Sequence, residues 1–165
     1  MTAILETDEK ILKLELRLAQ LERLEACSEH FLDFVKAMWP EFITGRHHEI
    51  IAEKLEQVSN GELKRLIINM PPRHTKSEFA SFLFPAWMIG KNPNMKIIQA
   101  THTTELAVGF GRKVKNLLER DDYLELFPEA KLAVDSKASG RWDTARGGMY
   151  YAVGVGSNLA GRGAD

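Results

Sequence analysis

Between residues 4 and 29 the chain has no Gly or Pro, and Ile4, Ile11, Leu14, Leu18 and Leu21 return at helical intervals, which predicts one amphipathic helix. Leu12, Leu16 and Leu24 widen its apolar side. The heptad pattern lasts only about three repeats, so the expectation is a helix docked on its own domain, with a short coiled coil or partner-binding arm as the alternative. A second helical stretch over 29–39 stops at Pro40, and a third covers 46–58 before the turn Ser59-Asn60-Gly61. Over 63–70 (LKRLIINM) the character changes. The continuous run Leu66-Ile67-Ile68 reads as a buried central strand, ended by Pro71 and Pro72, which have no N–H to give to a ladder. Residues 76–89 are expected to be helical with a bend at Pro85, 95–100 a second buried strand, and 103–120 a helix capped by Thr101 or Thr103. Strand, helix, strand, helix predicts a parallel sheet covered by helices, with ligands at the carboxyl ends of strands. Residues 141–145 and 149–155 flank the turn candidate Arg146-Gly147-Gly148 and read as a hairpin.

Composition narrows the class. Of 165 residues, 44% are hydrophobic and 27% charged, a balance that excludes disordered, collagenous and membrane-embedded chains. With 22 Lys+Arg against 23 Asp+Glu the net charge is -1, so any site for a polyanion must be local. Cys27 is the single cysteine, which leaves no intramolecular disulfide and fits a reducing compartment. Residues 1–10 carry Glu6, Asp8 and Glu9 and lack an export signal, and the apolar stretch 79–90 is too short to span a bilayer. The expected location is cytosolic, without membrane insertion.

The segment most informative about chemistry is MPPRHTKS, residues 70–77, between the expected strand and a helix. A phosphate-binding loop of the form G-x-x-x-x-G-K-[ST] wraps phosphates with its backbone, neutralises β/γ charge with the Lys and coordinates magnesium through the hydroxyl. Lys76 and Ser77 keep both chemical roles, whereas Met70 and Thr75 stand where that formula has glycine. No acid occurs over 63–77, and four bases do: Lys64, Arg65, Arg73 and Lys76. A helix opening at Lys76 adds a dipole that favours an anion. The competing reading is a helix start with incidental basic residues. Thr75 poses a physical question, because a β-branched residue tolerates positive φ poorly.

Four segments carry a family resemblance: RHHEIIAEKLE (46–56), KRLIINMPPRHTKSEFASFLFPAWMIGKNP (64–93), IIQATHTTELAVGFGRKVK (97–115) and RWDTARGGMYYAVGVGSNLAGRGAD (141–165). Together they resemble the large subunit of the tailed-phage terminase, the ATP-driven motor that packages DNA. The resemblance implies an α/β fold of the P-loop NTPase type (ASCE-like). Residues 1–60 would form an N-terminal helical region with a candidate adenine-contacting segment, and 61–165 a partial ATPase core. It further implies ATP and Mg²⁺ as cofactors, with Pro72, Arg73, His74, Thr75, Lys76 and Ser77 in an atypical Walker A loop. Lys76 would hold the β/γ-phosphates, Ser77 would ligate Mg²⁺, and Arg73 would be a finger supplied in cis, against the alternative of a solvated charge. Double-stranded viral DNA, the portal protein, the small terminase subunit and further copies in a motor ring are the implied partners, in the host cytoplasm.

His47 and His48 lie where related motors recognise adenine; surface or capping histidines are the alternative. Thr101 and His102 resemble the next motor motif or are helix caps. Arg141, Trp142 and Arg146 suit DNA contact, or else a hairpin whose Trp packs on the sheet while its arginines are solvated. Arg162 belongs to the family-specific ending GRGAD. In terminases an apolar Walker B strand with its acids and a carboxy-terminal nuclease follow that ending, so the sheet is expected to be incomplete, nuclease activity absent and hydrolysis by these residues alone doubtful. A non-catalytic fragment docking on a motor or capsid partner, or a helicase-like P-loop ATPase, are the rival readings.

Overall fold

The computed structural model describes residues 2–136, 138–157, 161 and 163–165, with side chains from residue 8 onward. Six α-helices and a three-stranded sheet make up this mixed α/β protein: α1 (Thr2–Glu29), α2 (Phe31–Met38), α3 (Arg46–Ser59), α4 (Phe84–Lys91), β1 (Lys96–Thr101), α5 (Thr104–Leu118), α6 (Asp121–Leu126), β2 (Arg141–Asp143) and β3 (Met149–Gly154). A π-helical segment, Glu78–Leu83, runs directly into α4. Pro85 has no N–H for a carbonyl one turn back; it sits in the first turn of α4, where proline is tolerated, and the wider π geometry lies just before it. Among the described residues no helix is long and apolar enough to cross a membrane.

The sheet order is β1-β3-β2. β1 and β3 are parallel, in register from Lys96 opposite Met149 to Thr101 opposite Gly154, and α5 lies between them in the chain and packs on both. β2 and β3 form the expected antiparallel hairpin, with Arg141 opposite Tyr151. Gly111 lets α5 approach closely: a Cβ there would stand 2.5 Å from the Ser139 carbonyl oxygen. Trp142 uses that proximity to donate its indole N–H to the Gly111 carbonyl at 3.1 Å.

The strand expected over 63–70 is absent. Residues 64–72 make no backbone-to-backbone hydrogen bond, and Ile67 is 85% exposed. Leu66, Ile68 and Met70 are only half-buried, against the edge of the core. A strand requires a neighbour to complete its ladder, and among the described residues the sheet is made of β1, β3 and β2 without this segment. The parallel pair expected between 63–70 and 95–100 is thus not formed; the parallel βαβ unit that is present joins β1, α5 and β3, whose last strand was expected only as half of a hairpin.

One hydrophobic cluster extends from Cys27 to Ala152, so the helices before residue 60 and the sheet after it share a core. At its centre Phe31 meets Phe79 and Phe84 edge-on and Trp87 at a tilt, with centroids 5.4–5.6 Å apart. Trp87 donates to the Cys27 carbonyl at 3.0 Å, which fastens the end of α1 to α4. Only that end is fastened. Gln20, Leu24 and Ala26 are half-buried and Cys27 is buried, but Ile11, Leu12, Leu14, Leu16, Leu18 and Leu21 are all exposed. The expectation that α1 docks along its length on its own domain is therefore corrected.

Behind the sheet Trp142 and Tyr150 stack at 4.8 Å with planes 2° apart. The Tyr150 hydroxyl is buried without a hydrogen-bond partner among the described residues, and burial pushes its pKa up. Tyr150→Phe keeps the stack and removes an unsatisfied group, so urea unfolding is expected to show a gain of about 1 kcal/mol.

Candidate functional site

The MPPRHTKS loop curls into a concave rim. Residues 70–78 line a cavity of about 550 Å³. Two non-glycine residues in the loop take the left-handed conformation, Arg73 at φ 64° and Thr75 at φ 59°. Such residues let a short loop fold back and turn successive N–H groups to one side, as in anion-binding nests. Thr75, at the position of the second glycine in the P-loop formula, thus adopts the backbone that glycine would supply at no steric cost. For a β-branched residue this conformation costs about 1–2 kcal/mol.

Hydrogen bonds from α3 hold it there. The Gly45 N–H donates to His48 Nδ1 at 2.9 Å while the His48 N–H returns to the Gly45 carbonyl at 2.8 Å, closing the start of α3. With Nδ1 accepting, the ring proton is on Nε2, which stands 2.7 Å from Thr75 Oγ1 and donates to it. The Thr75 hydroxyl passes its own proton to the His74 carbonyl at 2.7 Å. The His48 ring is 6% exposed, stacked on Phe79 at 5.1 Å and edge-on to Phe42 at 4.7 Å. Burial, with a contribution from neighbouring His47, holds its pKa below the ordinary 6.5.

This placement corrects the adenine assignment of His48, since both its nitrogens are engaged and its faces are packed. His47 is the exposed member of the pair. With Ile50, Lys54 and the extended 66–70 segment it lines an adjoining, mostly apolar groove of about 280 Å³. The two rings lie 3.8 Å apart, closer than the angular spacing of adjacent helical residues suggests.

Lys76 and Ser77 open the helix that leads into the π segment. The Lys76 ammonium folds back across the loop to the Met70 carbonyl at 3.3 Å, half-buried at the cavity. Ser77 is exposed on the same cavity, and so are Pro72, Arg73 and His74. His74 Nδ1 donates to the Pro72 carbonyl at 2.9 Å. Among the described residues no hydrogen bond or ion pair engages the Arg73 guanidinium. Glu78 is the one acid lining the cavity, and it bonds Lys113 at 2.7 Å. The loop therefore presents positive charge around a hollow, with its nearest carboxylate turned to another lysine.

The remaining candidates stand elsewhere. Thr103 caps α5 by accepting from the Leu106 N–H at 3.2 Å, and Thr101 donates to the Thr103 carbonyl at 2.7 Å. His102 is exposed beside them. Trp142 is 1% exposed within the core and Arg146 pairs with Glu129, which is the hairpin reading of that segment. Arg162 lies outside the described residues. Asp165 bonds the Lys96 backbone N–H at 2.9 Å and does not line the cavity. No group of three or more His, Cys, Asp or Glu side chains among the described residues could hold a metal ion. His48 thus takes the capping alternative that the sequence offered; what the sequence did not show is its bond to Thr75, 27 positions away. No family model, curated protein or solved structure matches this chain.

Proposed function

We propose that residues 71–77 bind the phosphates of Mg-ATP, and that the chain is the ATP-binding part of a terminase-type motor acting on double-stranded viral DNA in the host cytoplasm. The observation that carries this reading is the half-buried Lys76 ammonium beside a loop-walled cavity with no unpaired acid in it. Triphosphate oxygens would replace the Met70 carbonyl as partners of Lys76, and Arg73 would meet the outermost phosphate. Magnesium would take Ser77 Oγ, phosphate oxygens and water as ligands, a donor set it accepts. In this reading residues 64–70 stand where a P-loop fold has the strand that precedes its phosphate loop. The portal protein, the small terminase subunit and other copies of the motor remain partners proposed from the resemblance.

The proposal is for binding. Hydrolysis also needs a carboxylate that orients water, and the one at the cavity, Glu78, is held by Lys113. Thermal unfolding with saturating Mg-ATP tests the reading: at a hundred times Kd a ligand specific to the folded state stabilises by about 2.7 kcal/mol. Ser77→Ala is expected to lose most of the magnesium-dependent part of that stabilisation while keeping what ATP gives in EDTA. No stabilisation of the parent beyond that from Mg²⁺ alone would refute the assignment.

A further inference from the structure

We propose that α1 is a dimerisation arm, whose Ile11, Leu14, Leu18 and Leu21 seam pairs in parallel with the same seam of a second copy of this chain. These four side chains are 48%, 70%, 57% and 46% exposed in a single chain, a continuous apolar stripe of the kind that marks an interaction surface. They occupy positions a, d, a and d of successive heptads, and Ile4 and Thr7 extend the same register one heptad toward the amino terminus within the helix. The globular body holds α1 at Gln20, Leu24 and Cys27, which are positions c, g and c. At about 100° per residue these lie about 110° around the helix from the seam, so the body leaves the stripe uncovered.

Charge selects the occupant and its direction. The g positions are Lys10 and Arg17, and the e positions that follow them are Glu15 and Glu22. In a parallel pair each g residue meets the next e residue of the other copy, so Lys10 faces Glu15 and Arg17 faces Glu22, twice over by symmetry. An antiparallel pair sets g against g and e against e, opposing base to base and acid to acid. A β-branched residue at a with leucines at d, as at Ile11, Leu14 and Leu21, favours two strands. The chain's own sequence is thus complementary to itself along this face.

Sedimentation equilibrium of the full chain over a concentration series tests this. The parent is expected to reach twice the monomer mass, and Leu14→Gln with Leu18→Gln to stay monomeric, with thermal unfolding that matches the parent's at concentrations where the parent has dissociated, since both residues are exposed on the single chain. Leu12→Gln with Leu16→Gln removes equally exposed leucines outside the seam and is expected to leave the dimer in place. Glu15→Lys with Glu22→Lys weakens the dimer, and adding Lys10→Glu with Arg17→Glu restores it. Thr7→Cys reports direction: parallel strands bring the two cysteines together and crosslink under mild oxidation, whereas antiparallel strands centred on the seam hold them about 27 Å apart. A parent that is monomeric at every concentration overturns the proposal. So does a dimer lost equally with either leucine pair, or one that persists while Thr7→Cys fails to crosslink.

Discussion

Lys76→Ala is expected to weaken Mg-ATP binding by more than about a hundredfold while leaving the unfolding midpoint close to that of the parent. Each hydrogen bond from a charged donor is worth about 1.5–3 kcal/mol, and an ammonium spanning two phosphates makes two, so together they correspond to roughly 10²–10⁴ in affinity. The fold has little at stake, because among the described residues the Lys76 ammonium makes one hydrogen bond, a 3.3 Å bond to the Met70 carbonyl. Titration with a fluorescent ATP analogue reads the affinity and urea unfolding reads the fold. Equal affinity in parent and variant would remove the phosphate-loop assignment. Arg73→Ala gives a finer result: if the guanidinium meets the outermost phosphate, the variant loses its preference for ATP over ADP more than its affinity for ADP.

His48→Ala is expected to destabilise the protein by about 3 kcal/mol, through a buried ring lost from between Phe42 and Phe79 and two hydrogen bonds broken. His48→Phe separates these causes, since it keeps a ring in the aromatic stack and abandons only the bonds to Gly45 and Thr75. Its cost, about 1–3 kcal/mol, should shrink by about 1 kcal/mol when Thr75 is replaced by Gly, because glycine holds a positive φ without help. Acid distinguishes the same variants. Above the ordinary 6.5 of a histidine both folded and unfolded chains leave His48 neutral and its contribution is complete. As pH falls through 6.5 the unfolded chain takes the proton and the folded chain, its pKa lowered, does not, so stability declines until the folded pKa is passed. That decline should be absent from His48→Phe. If both proteins lose stability in parallel over this range, burial does not hold His48 neutral in the folded chain.

What the sequence revealed was whatever local chemistry decides. α3 begins at Arg46 as expected because Gly45 precedes it and Ser59-Asn60-Gly61 ends it; α5 starts one residue past its threonine cap; Gly147 takes the hairpin turn at φ 90°. Lys76 and Ser77 open a helix as expected, and that was legible from their context after Pro71-Pro72 rather than from the P-loop spacing, whose glycines are missing. The run Leu66-Ile67-Ile68 was misread because apolar composition indicates only that a segment can join a sheet, while membership depends on a neighbour that no local pattern encodes. α6 is six residues long, too short for a periodicity to declare itself. α1 looked like a helix with a side to bury, and nothing in its own pattern told which surface would meet that side. The bond between His48 and Thr75 joins two motifs that were noticed separately, and its cause, a strained φ, exists only once the loop is folded.

A loop curled by two left-handed residues and tied to α3 would have little freedom left to surrender to the phosphate proposed for it. Loops that close around phosphate by ordering themselves meet a cost of about 0.5–1.5 kcal/mol for each side chain immobilised; under that proposal the cost would be met during folding. Substituting threonine for glycine at position 75 trades adaptability for preorganisation, and the buried imidazole beneath it makes the trade tolerable.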